Sequence, residues 1–276
     1  MRFFALFIRL LFLPFGSFAQ PAQRAAFVLH IRPVLNQKKL MLNTGVAVSD
    51  DSIALQQLRF YLGQFTFSNK GKTVFQDTAY HLVDLEEDHT QAIVFDFPQK
   101  MRFDRIVFNF GVDSLTTASG AMGGDLDPTK GMFWTWQSGY INFKMEGFSK
   151  KSSGRNGLFQ FHLGGYLPPF QTLQRVYVDV ERRKGDTHFE LVFDLTALFQ
   201  EANWTKFHNI MSPGAETVRF SGILAKSFSV HTEQRFQNCH RVRCIHLSDC
   251  RIVAEAGACG VAVSCRLARA ALRSFA

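Results

Sequence analysis

The chain has 276 residues, 46% of them apolar, enough to build one large domain with a sizeable core. Its net charge of +8 is concentrated at the ends. Setting aside Arg2, Arg9 and everything from His231 onward leaves 22 basic and 20 acidic residues, a balance that excludes a nucleic-acid footprint or attraction to an anionic membrane. Phe occurs 30 times, and the first cysteine is Cys239, so the body is expected to rest on an aromatic sheet core rather than on disulfides.

Residues 1–19 read as a signal peptide. Arg2 supplies the positive start, residues 3–15 are apolar apart from Arg9, and Ser17-Phe18-Ala19 places small residues at a cleavage site. The apolar run is too short to span a bilayer, no later segment is apolar enough to insert in a membrane, and the expected location is periplasmic or otherwise exported. A single domain is then expected over residues 22–230. Phe27, Leu29 and Ile31 alternate with Val28, His30 and Arg32 as in a half-buried strand. Residues 52–57 read as a short helix capped by Ser49 or Asp50. Leu58, Phe60 and Leu62 form one strand face, and RIVFNFGV, apolar on both faces, reads as a central strand. Ile141, Phe143 and Met145, then Val176, Val178 and Val180, then Phe189, Leu191, Phe193 and Leu195, repeat the period of two. Asp194 is placed to cap a short turn over residues 195–200. The sum is an all-β fold, an antiparallel β-sandwich with one or two short helices.

One loop interrupts it. Residues 111–132 carry five Gly and a Pro and run into FWTWQSGYINFK, where Trp134 and Trp136, two apart, are expected on one strand face. The loop carboxylates Asp113, Asp125 and Asp127 admit three readings. They could ligate a hard cation such as calcium, although no EF-hand spacing is present. Asp125 and Asp127 could act as a glycosidase pair. The favoured reading is that they hold the loop through Asx turns. The sequence lacks HExxH, a P-loop, GxGxxG and a Ser-His-Asp order, so the chain is expected not to be an enzyme. Residues 231–276 break the pattern: Lys disappears, all five Cys appear at irregular spacings, and Arg and Ala rise, as in a frame-shifted extension, a disordered tail or a Cys-rich appendage.

The run GVDSLTTASGAMGGDLDPTKGMFWTWQSGYINFKMEG resembles the signature of MbnP-like proteins, periplasmic copper-binding proteins encoded near methanobactin or copper genes and related to the copper-repressed surface proteins of methane oxidisers. LRFYLGQFTF, YHLVDL, FHLGGY and HNIMSPG are similar to family segments in the same order. The resemblance implies copper, as Cu(I) or Cu(II), held by histidines and by a kynurenine that a MauG-like di-haem peroxidase makes from a tryptophan. It also implies a copper-transport partner. Carried onto this chain, the kynurenine precursor is Trp134, with Trp136 as the alternative, and the ligand candidates are His162, His30 and His81. Imidazole suits copper. A metal-bound His normally has its other ring nitrogen held by a carboxylate or a carbonyl, for which Asp84 and Asp179 are candidates. The alternative to copper is a metal-free sandwich that binds a ligand or serves a structural role.

Overall fold

In the computed structural model, residues 24–98, 101–136, 139–180, 186–201 and 206–231 are described. The signal-peptide reading and residues 232–276 therefore lie outside the described residues, as does Trp204. The first strands are β1 (Arg24–Leu35), β2 (Lys38–Lys39), β3 (Val46–Val48), β4 (Asp51–Asn69) and β5 (Lys72–Asp84). After β6 (Ala92–Pro98) and β7 (Arg105–Phe110) come helix α1 (Ser114–Ala118), β8 (Phe133–Trp134), β9 (Gly139–Ser149) and β10 (Leu158–Gly164). The chain continues through β11 (Gln174–Asp179), β12 (His188–Asp194), α2 (Thr196–Glu201), β13 (Asn209–Ile210), α3 (Ala215–Ala225) and β14 (Phe228–His231).

These strands form two sheets. One has five strands in the order β14-β12-β1-β2, with β6 also on β1; the other has nine in the order β11-β7-β4-β9-β10-β13, with β3 and β5 on β4 and β8 on β9. The pairing is mostly antiparallel, as the alternation implies, but β1–β12 and β10–β13 are parallel. The sheets face each other through the phenylalanines: Phe193 of the smaller sheet lies 4.9 Å from Phe60 and 5.8 Å from Phe110 of the larger, and Phe27 of the smaller meets Phe67 of the larger at 6.1 Å. Tilted and edge-on pairs of this kind suit the ring quadrupole.

Strand β4 organises the larger sheet. Its 19 residues pair with β9 over Ile53–Phe60 and with β7 over Leu62–Ser68, while β5 runs along Arg59–Asn69. Serving two partners in succession requires a bend, which falls at Gly63, where the register shifts. A side chain there would meet Tyr80 at 2.4 Å and the Ala79 carbonyl at 2.8 Å, so only glycine fits. The expected helix over residues 52–57 is part of this strand. A bulge between Leu55 and Gln57 adds one residue, so Ile53, Leu55 and Leu58 reach the core at spacings of two and three, which imitates a helical face.

RIVFNFGV is a central strand as expected: β7 lies between β11 and β4. Asp194 caps as expected, its Oδ1 accepting from Thr196 N at 2.9 Å. Helix α3 was not legible. It buries Phe220 and Leu224, four apart, against the main core. No helix among the described residues is long and apolar enough to cross a membrane.

Candidate metal centre on the outer face of the larger sheet

The outward face of the nine-stranded sheet carries a polar row set by register. His162 of β10 sits opposite Lys144 of β9, Lys144 opposite Arg59 of β4, and Arg59 opposite Asp84 of β5. Directly paired residues share a face, so the four side chains line up across four strands. Glu146, two along from Lys144, joins them: its Oε1 is 2.7 Å from His162 Nε2, and its Oε2 accepts from Gln160 Nε2 at 3.3 Å. Arg59 Nε lies 2.6 Å from Asp84 Oδ2.

His162 is 5% exposed. Burial pushes its pKa down, and the hydrogen bond to Glu146 only partly opposes this, so the imidazole is neutral and able to ligate at neutral pH. Burial alone would raise Glu146, but hydrogen bonds from His162 and Gln160 outweigh it and hold the carboxylate low. Because the folded state resists protonating His162 while the unfolded chain does not, folding stability is expected to fall as pH drops below about 6.5, the free imidazole value. Denaturant midpoints at about pH 7.5 and about pH 5.5 should show this loss, and a His162→Gln protein should show less of it.

The Gly-rich loop folds over this face. Tyr61, Leu82, Val112, Leu126, Met132, Trp134, Tyr140 and Ile141 form a second small core beneath it. Two buried tyrosines pin it: Tyr61 OH donates to Asp125 O at 3.1 Å and Tyr140 OH to Leu126 O at 2.9 Å. Cations of the polar row reach up to it as well, Arg59 donating to Lys130 O at 3.2 Å and Lys144 to Gly131 O at 3.5 Å. The loop carboxylates hold the loop's own turns and tie it to β5. Asp113 caps α1, accepting from Thr116 N at 2.8 Å and from the Tyr80 hydroxyl. Asp125 takes Lys130 Nζ at 2.6 Å and Leu82 N at 3.2 Å. Asp127 accepts from Thr129 N at 2.8 Å and Thr129 Oγ1 at 2.7 Å, as in an Asx turn.

Trp134 and Trp136 differ more than the expected shared strand face implied. Only Phe133–Trp134 is strand, and Trp136 lies in the turn after it. Trp134 is 6% exposed and Trp136 64%, with ring centroids 5.6 Å apart. The Trp134 indole lies over Gly164, two residues beyond His162 on β10: a methyl at Gly164 would be 2.7 Å from Trp134 Cζ3 and 2.7 Å from the Tyr140 carbonyl. Gly164→Ala is therefore expected to cost about 1–3 kcal/mol and to displace the ring, readable as a lower urea midpoint with red-shifted tryptophan emission. Beside Trp134 opens a cavity of about 280 Å³ lined also by Gly139, Gly165, Tyr166, Leu167 and Phe170.

The three histidine candidates do not converge. His162 faces outward from the larger sheet. His81 pairs with inward-facing Leu62, lies 5.9 Å from the Phe65 ring and bonds Asp77 at 2.8 Å. His30 is on the outer face of the smaller sheet, beyond the core from His162. Strand alternation gives the parity of each residue, not which sheet it joins, so histidines that lie on different faces could all be ligand candidates in sequence. Neither expected carboxylate partners His162, since Asp84 holds Arg59 and Asp179 holds Arg105 at 2.6 Å. The carboxylate that does, Glu146, was visible as the polar side of the 141–146 alternation, but its pairing needed the β9–β10 register. Among the described residues no group of three or more His, Cys, Asp or Glu is placed to hold a metal.

The family model described as MbnP matches residues 24–212. Among solved structures, MbnP from Methylosinus trichosporium is similar, with 16% identity and a TM-score of 0.49 over 70% of this chain and 82% of that chain. No curated protein matches.

Proposed function

The chain belongs to the MbnP family, and from that membership we propose that it is an exported copper-binding protein, not an enzyme, that stores, acquires or delivers copper at the His162–Trp134 face. A MauG-like di-haem peroxidase, with peroxide as the oxidant, cleaves the indole C2–C3 bond of Trp134, and hydrolysis releases C2 as formate to leave kynurenine, which exposes a carbonyl and an aromatic amine on this face; a copper-transport protein exchanges the metal. The observation that carries this reading is the Glu146–His162 pair two residues along β10 from Gly164, over which the indole is seated. Glu146 holds Nε2 at 2.7 Å and leaves Nδ1 for a metal, the carboxylate–imidazole arrangement that metal-bound histidines use. Among the described residues no third His, Cys, Asp or Glu is grouped with this pair, and the modified tryptophan would add a carbonyl and an amine donor beside the imidazole.

The test is mass spectrometry of the tryptic peptide 131–144 from protein co-expressed with its genomic neighbours, followed by a copper assay. The expected result is a gain of one oxygen and loss of one carbon on Trp134, with copper bound. An unmodified peptide from protein that takes up no copper favours the second reading, a metal-free module that binds a small apolar ligand in the cavity beside Trp134.

A further inference from the structure

The smaller sheet presents a histidine pair that the reading above does not use. β1 and β12 are neighbouring parallel strands, with Val28 opposite His188 and His30 opposite Glu190. Phe27, Leu29 and Ile31 of β1 and Phe189 and Leu191 of β12 point into the core, which turns His30 and His188 outward, where both are exposed. Their ring centroids are 5.8 Å apart and the planes differ by 21°. An ion bound about 2.0–2.1 Å from an imidazole nitrogen lies in the ring plane roughly 3 Å from its centre, so two exposed, near-parallel rings about this far apart can share one ion once each turns about its side-chain torsions to aim a nitrogen at it. Glu190, the nearest carboxylate by register, is taken by Arg32 Nη1 at 3.1 and 3.2 Å. Among the described residues neither imidazole has a hydrogen-bond partner, so both keep free nitrogens.

We propose that His30 and His188 form a second metal site, a two-histidine chelate for a borderline divalent ion such as Cu(II), Ni(II) or Zn(II), on the opposite outer face from His162. Two nitrogen donors, with the neighbouring Glu190 already paired to Arg32, favour such ions over calcium or magnesium. The proposal does not depend on kynurenine or on His162.

The experiment titrates Cu(II) into the full chain and follows the imidazole C–H resonances by NMR, in wild type and in His188→Ala, His30→Ala and His162→Ala proteins. Expected are paramagnetic broadening of the His30 and His188 signals together at substoichiometric Cu(II), at least tenfold weaker broadening of either signal when the other histidine is removed, and no change at this pair in the His162→Ala protein. Broadening of His30 that is indifferent to His188→Ala would show two independent surface imidazoles and overturn the chelate. So would the absence of broadening at both, or its loss in the His162→Ala protein. Zn(II) added first should suppress the Cu(II) effect at this pair by competition, and failure to do so counts against a shared site.

Discussion

A chain ended after Ser212, where the family match stops, is expected to lose its cooperative fold, whereas a chain ended after Glu233 keeps it. The 19 residues from Pro213 to His231 hold α3 and β14. Phe220 and Leu224 of α3 are fully buried and Phe228 of β14 is 9% exposed. Phe220 packs on Phe161 at 5.4 Å, and Phe228 stacks on Phe193 at 4.3 Å with planes 4° apart. Removing a buried Phe side chain costs about 3–5 kcal/mol and a buried Leu about 2–5, so the three together cost on the order of 10 kcal/mol, comparable to the entire net stability of a domain. The cut would also strip β12 of its neighbour along Glu190–Phe193 and leave that edge of the smaller sheet open. Near-UV circular dichroism and a denaturant curve on both truncations check this. A sharp unfolding transition in the shorter chain would show that α3 and β14 are appendages rather than parts of the core.

The same segment shows what could be read from sequence. Strands whose alternation is uninterrupted, such as β1, β11 and β12, were legible because one face packs on phenylalanine and the other meets solvent, so polarity tracks the backbone period. Strand β4 was half legible. Its bulges at Gln56 and around Gly63 change which residue faces inward, and a bulge is set by the partner strands β9, β7 and β5 rather than by local propensity. Helix α3 was hidden by its own composition: Thr217 and Ser221 are buried alongside Phe220 and Leu224, so its core face does not look apolar.

At the site, the loop and Trp134 could be picked out because the glycines and the aromatic pair are unusual in themselves. The cluster around His162 could not. Lys144, Arg59, Asp84 and Glu146 are ordinary strand charges until register aligns them across β9, β4 and β5. The separation of His30 from His162 is likewise a property of sheet membership: β1 joins β12 and β6, while β10 joins β9 and β13. Pairing between strands distant in sequence, such as β1 with β12, leaves no trace in either segment alone.

Substituting His162 by Ala is expected to weaken copper binding at the Trp134 face at least tenfold, the largest effect of any single side chain there. Three features combine in that residue. It is the imidazole on the strand that carries Gly164, over which the indole is seated. Its burial keeps it neutral, so no proton need be displaced at neutral pH before a metal binds. Its Nε2 is oriented by Glu146, so little is lost in ordering the ring. Glu146→Gln should give a smaller loss with a changed pH profile, since the amide can still accept or donate a hydrogen bond but no longer stabilises the imidazole electrostatically. His81→Ala should leave binding at this face unchanged, because His81 is turned toward Phe65 and Asp77. The measurement is a copper titration of peroxidase-treated protein followed through the absorption of the modified residue, which reports this face and not the His30–His188 face. Equal affinities for wild type and His162→Ala would remove His162 from the copper site and leave Glu146 and Lys144 as no more than an ion pair along β9 whose lysine reaches the loop.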